Sequence, residues 1–175
     1  MHLIILPGNS KEYNEQWLND SADAYKDLFD SVTKHIFKHW ETGNDMIDLE
    51  VEVKRLKEEA EALSEDYLIF AKSAGTVATV KAISEGKVKP TKCVFVGSPW
   101  GDFANKEGEF NTALSKFSVP TLFIQQTEDM FFKYAELEKT LKENSLSDYE
   151  LIEIPGNNHA YDNYDEIKKW MKEFI

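Results

Sequence analysis

Short apolar runs recur along the chain at Leu3–Leu6, Tyr67–Phe70, Cys93–Val96, Thr121–Ile124 and Leu151–Ile154, most of them followed by turn-forming residues. Runs this short fit buried strands better than helices. A sixth strand is expected around Lys34–Trp40. There HIFKHW mixes basic and apolar residues, and Ile36 with two histidines at even spacing reads as an extended edge strand. Between the runs a different period takes over. Trp17, Leu18, Tyr25, Leu28 and Phe29 form one set; Leu49, Val53, Leu56, Ala60 and Leu63 another; Tyr134, Leu137 and Leu141 a third; Ile167, Trp170, Met171 and Phe174 a fourth. Spacings of three, four and seven put one apolar stripe on each helix and leave charge runs such as KRLKEEAEA on the solvated face. Strands that alternate with helices need crossovers, and right-handed crossovers place helices on both faces of a parallel sheet. The fold class is therefore α/β, a three-layer doubly wound parallel sheet of about six strands. The longest stretch without clear periodicity, from Ser98 to Phe117, is expected to form a small cap-like segment.

With 175 residues, 42% of them hydrophobic and 13% aromatic, the chain suits one domain over 1–175 with a substantial core. A formal net charge of −12 argues against nucleic acid and anionic membranes as partners, because both attract clustered Lys and Arg. The single cysteine, Cys93, lies inside an apolar run and reads as an inert buried thiol. Met1 and His2 lead straight into Leu3–Leu6 without a basic region or a long apolar run, so the expected location is cytoplasmic.

The stretch YLIFAKSAGTVATVKAI, residues 67 to 83, carries the clearest chemistry. It sets Ser73 on the turn between a buried strand and a helix, with Ala71, Ala74 and Gly75 leaving little bulk around it. A nucleophile elbow, commonly G-x-S-x-G, has this form because the turn is tight and strained. In open parallel sheets ligands sit beyond the carboxyl ends of the strands, so the residues after each run belong together. They are Pro7-Gly8-Asn9-Ser10, then Ser73, Gly97-Ser98-Pro99-Trp100, Thr127-Glu128-Asp129 and Gly156-Asn157-Asn158-His159. Ser, Asp and His come in the order of an α/β-hydrolase triad, each at its own strand end.

On ILPGNS, AKSAG, QQTEDMFF and GNNH the chain resembles the α/β hydrolases, in particular the compact YdeN-like serine hydrolases related to retinoblastoma-binding protein nine. The resemblance spans essentially the whole chain and implies a minimal α/β-hydrolase fold with strand order 2-1-3-4-5-6. It implies Ser73 as nucleophile, His159 as general base and Asp129 as the acid that orients it. Two positions depart from the pattern: Ala71 where glycine is usual, and Gln126 where many members have glycine. Such chemistry needs the Ser73 hydroxyl within hydrogen-bond reach of the His159 ring, with Asp129 at the other ring nitrogen. An oxyanion hole would use the backbone N–H of Ala74 and, from the turn after the first strand, that of Asn9.

Gly8, Trp100, Phe103, Phe131 and Tyr161 are the expected substrate contacts, with Trp100 and Phe103 roofing a short acyl chain over a shallow, open pocket. Lys72 is expected to point away from the site and reach water. His35 and His39 lack metal-ligand company, so no metal site is predicted, and no cofactor is implied. The function indicated is hydrolysis of a carboxylic ester or related acyl bond in a small-molecule substrate. An acyltransferase, or a non-catalytic module that binds a protein partner, would use the same fold.

Overall fold

A computed structural model describes residues 1–101 and 109–175. Within these residues six strands form one sheet in the order β2-β1-β3-β4-β5-β6, and every neighbouring pair is parallel. They are β1 (His2–Leu6), β2 (Ser31–Lys34), β3 (Tyr67–Lys72), β4 (Lys92–Val96), β5 (Thr121–Gln126) and β6 (Tyr149–Ile154). The connecting helices are α1 (Lys11–Tyr25), extended by a 3-10 turn at Lys26–Leu28, α2 (His39–Thr42), α3 (Leu49–Glu61), α4 (Ala74–Ser84), α5 (Glu109–Leu114), α6 (Tyr134–Glu143) and α7 (Tyr164–Phe174). Leu3 to Leu6, Leu68 to Ala71 and Cys93 to Val96 are all fully buried. Strands covered on both faces by helices lose the in–out alternation of a half-exposed sheet, which is why they read as continuous apolar runs.

The edges differ. β2 has four residues, all at least partly exposed, and β6 turns Glu150 and Glu153 to solvent. The edge strand expected at Lys34–Trp40 is corrected here: β2 ends at Lys34, and His39–Thr42 is a helical turn. Phe37 and Trp40 are buried as part of the core. His35 is buried too, with Nε2 3.0 Å from Glu52 and Nδ1 2.7 Å from Glu59. The mixed character of HIFKHW thus reflects a loop folded inward against α3 and held there by carboxylates.

The cap expected over Ser98–Phe117 lies partly outside the described residues. Its far end is α5, whose Phe110 and Leu114 are buried in the core. Among the described residues, no helix is long and apolar enough to cross a membrane.

Candidate active site

Ser73 sits between the last residue of β3 and the first of α4, at φ 52° and ψ −122°. Non-glycine residues take up positive φ only under constraint, and the constraint is visible. Ser73 N–H donates to Val96 O at 3.1 Å, and the Gly75 and Thr76 N–H groups donate to Pro7 O and Ser73 O at 3.1 and 2.9 Å. A Cβ on Gly75 would lie 2.7 Å from Pro7 O and 2.8 Å from Leu6 Cβ, so only glycine lets α4 approach β1 this closely. At the other small position, Ala71 pairs with Leu6 and Phe95 and is fully buried, its methyl accommodated within the sheet. Ala74 begins α4, so its N–H is among those a helix leaves without an intrahelical partner.

The acid and the imidazole meet beyond β5 and β6. Asp129 is 2% exposed and accepts four hydrogen bonds. Its Oδ1 takes the N–H groups of Phe131 and Phe132 at 2.9 and 3.3 Å. Its Oδ2 takes His159 Nδ1 and the Tyr161 hydroxyl, each at 2.7 Å. Burial alone would raise the Asp129 pKa, but the hydrogen bond and charge of His159, then the Tyr161 and Phe131 donors, hold it below the ordinary carboxylate value. An ionised Asp129 makes Nδ1 the protonated ring nitrogen and leaves Nε2 with its lone pair.

His159 stands at φ 58° on a loop built by Gln126. Gln126 Oε1 accepts from His159 N–H at 2.9 Å, and its Nε2 donates to Asn158 Oδ1 at 2.9 Å. Gly156, at φ 148°, passes so close to this side chain that a Cβ would lie 2.8 Å from it. The departure at position 126 therefore supports the loop that carries the histidine. Glu128, beside the acid, is exposed and paired with Lys133.

Ser73 and His159 line the same cavity of about 1280 Å³, together with Asn9, Ala74, Pro99 and Phe131. Phe131 is 61% exposed and meets the His159 ring edge-on at 4.7 Å between centroids. The expected Ser73–His159 hydrogen bond is not formed: His159 Nε2 is buried and has no partner among the described residues. Asn9 has little freedom. Its Oδ1 accepts from Ile47 N–H at 2.8 Å, its Nδ2 donates to Asp45 O at 2.9 Å, and its carbonyl accepts from His39 and Trp40, both at 2.7 Å.

Other expected contacts fall elsewhere. Trp100 is 4% exposed, packs against Phe95, Phe110 and Phe123, and donates through Nε1 to Thr76 Oγ1 at 3.0 Å. It is a core residue and is not among the residues that line the cavity, so the roof drawn from it is corrected. Gly8 is not among the lining residues either: the space a Cβ would need is filled by the Asn14 side chain at 2.7 Å. Tyr161 is 1% exposed and its hydroxyl serves Asp129, so it supports the acid instead of touching a ligand. Phe103 lies outside the described residues. Lys72, expected in water, is 4% exposed and lines the cavity.

No protein-family model and no curated protein matches the chain. Solved structures do. An esterase of Pyrococcus furiosus, Pf2001, superposes with a TM-score of 0.74 at 16% identity, over 99% of this chain and 79% of the esterase. Est1E of Butyrivibrio proteoclasticus, solved with ferulic acid bound, gives 0.73 at 14% identity over 99% and 89%. A Pectobacterium atrosepticum chain described as YdeN-like gives 0.70 at 14% identity over 99% and 92%. The chain has the α/β-hydrolase fold.

Proposed function

We propose that this protein is a serine hydrolase that cleaves a carboxylic ester or related acyl bond in a small molecule. The observation that carries the reading is the 2.7 Å contact between buried Asp129 and Nδ1 of His159, a residue that lines one cavity with a serine held at positive φ on a strand-to-helix turn. Buried charge of this kind is unfavourable unless it is paired, and strained backbone clusters at functional sites.

In the proposed reaction the Ser73 oxygen forms a bond to the substrate carbonyl carbon as its proton passes to His159 Nε2. Asp129 keeps the ring in the required tautomer and stabilises the imidazolium. The carbonyl π bond opens to an oxyanion, which the Ala74 N–H and the Asn9 N–H would meet. Collapse of that intermediate breaks the ester C–O bond, and His159 returns its proton to the leaving alcohol. Water then repeats the sequence on the acyl-serine. Pro99, Met130, Phe131 and Phe132 supply an apolar wall for the acyl or aryl portion. Approach of Ser73 to Nε2 is the one movement this scheme asks of the site, and apo geometry is often loose in this way.

The missing Ser73–His159 bond is also what favours the second reading, a binding module that retains the fold without the activity. A fluorophosphonate probe separates the two. The proposed enzyme labels at Ser73 and the Ser73→Ala variant does not; a folded protein that takes up no label is the binding module.

A further inference from the structure

The proposed reaction makes no use of Lys72, although it is the residue directly before Ser73. Its Nζ donates to the Ala160 carbonyl at 2.9 Å and lies 5.0 Å from the centroid of the Trp17 ring. Trp17, from α1, donates through Nε1 to the next carbonyl, that of Tyr161, at 2.9 Å. Two consecutive carbonyls after His159 are thus gripped by a cation and by the ring beside it. The segment needs a grip, because His159 and Tyr161 both stand at positive φ, 58° and 54°, where residues with a Cβ remain only under constraint.

A lysine is a poor choice for such a place on stability grounds alone. Burial lowers the Lys72 pKa to about 8, against the opposing pull of the Asp162 and Asp129 carboxylates. Its charged form is therefore less favourable in the folded chain than in the unfolded one, and an apolar side chain of similar length would fill the space without that penalty.

The geometry points to Lys72 as a positioning residue that ties the elbow to the base loop: by holding the Ala160 carbonyl it fixes the turn that carries the His159 ring, in the cavity that Ser73 also lines. The inference rests on the hydrolase reading for its effect on rate, but its structural part stands apart from that reading.

The test uses Lys72→Met, which keeps the stem and removes the donor, and Lys72→Cys alkylated with 2-bromoethylamine, which restores an ammonium at nearly the same length. Cys93 is fully buried and does not compete for the reagent. In a Ser73→Ala background, Lys72→Met should melt no lower than its parent, while amides 159 to 162 exchange hydrogen about tenfold faster or more, the scale of one charge-assisted hydrogen bond. In the Ser73 protein, kcat for an aryl ester should fall by about tenfold or more with KM changed less than about twofold, and the aminoethylated variant should recover most of it. Unchanged loop exchange in folded Lys72→Met overturns the inference, as does a kcat that neither falls with Met nor returns with the restored ammonium. A native protein that takes up no fluorophosphonate defeats the hydrolase reading instead, and the exchange measurement then still decides whether Lys72 holds the loop.

Discussion

The Tyr161 hydroxyl donates to the same oxygen of Asp129, Oδ2, that the His159 ring engages, and both contacts are 2.7 Å long. The same hydroxyl accepts the Gln126 N–H at 2.9 Å, so one side chain links the end of β5 to the acid and the base loop. Tyr161→Phe removes a donor to the ionised acid and leaves the Gln126 N–H unpaired. The expected destabilisation is about 1–3 kcal/mol. Asp129 is held below its ordinary pKa in part by this donor, so its pKa should rise in the variant. Because the proposed reaction needs ionised Asp129, the acid limb of the pH–rate profile should move to higher pH. Denaturant melts and a pH series on an aryl ester check both.

Gly97 makes a sharper prediction. It stands at φ 59°, and a Cβ there would lie 2.5 Å from Tyr161 Cε2 and 2.8 Å from His159 Cε1. Gly97→Ala should therefore push the imidazole off its line and strain the backbone, with a stability loss of about 1–3 kcal/mol. Hydrolysis should fall far more than stability. A variant with native activity would show that His159 does not need its present place.

At the elbow, catalysis and stability should part company. Ser73→Ala and His159→Ala are each expected to remove nearly all ester hydrolysis, and the double variant to be scarcely worse, since such residues act as a unit. Ser73→Gly should be equally inactive yet more stable by about 1 kcal/mol, because glycine relieves the strain of φ 52°. Additive losses, or a less stable glycine variant, would contradict the assignment.

Outside the cavity lining, the His35–Glu52 pair should give stability its own pH dependence. Burial opposes the charge on His35, but Glu52 and Glu59 outweigh it and raise its pKa above 6.5. Burial likewise opposes the charge on Glu52, and His35, the Lys38 N–H and Arg55 hold its pKa below 4.5. The His35 contribution is fully present below pH 6.5 and disappears as pH rises through the raised value. The Glu52 contribution is present above pH 4.5 and is lost as pH falls through the lowered one. The stability difference between the native protein and His35→Gln should thus shrink on the alkaline side, while Glu52→Gln should cost about 1–3 kcal/mol near pH 6, because it removes one of the two carboxylates that pair the buried imidazole and leaves only Glu59. Urea melts across pH 4 to 9 measure both.

β1, β3, β4 and β5 were legible because burial on both faces leaves an apolar run, and edge strand β6 was legible from Leu151, Ile152 and Ile154 although Glu150 and Glu153 face solvent. β2 was not: SVTK pairs with β1 alone and is half-exposed, so no hydrophobic signal marks it, while the stronger pattern just after it belongs to a loop turned inward. The candidate nucleophile, acid and base stood out because each lies in the turn or loop that follows its strand. What surrounds them did not, because it depends on contacts far apart in sequence. Trp100 follows β4 as a pocket residue would, yet three aromatic neighbours and Thr76 take it into the core. Nothing next to Lys72 in the sequence marks it as an exception to the general rule that lysines reach water, because the Ala160 carbonyl that holds it lies 88 residues further on.

The two sheet margins carry a consequence for the protein as a solute. An open sheet ends in rows of unpaired peptide groups, a ready template for joining another chain edge to edge. Here one margin is only four residues long and closes with Lys34, and the other sets Glu150 and Glu153 outward along its length. A second copy approaching β6 would bring glutamates against glutamates, and one approaching β2 would find too short a ladder to hold. Crowding at high concentration is thus resisted by the margins themselves, independently of whatever the cavity does.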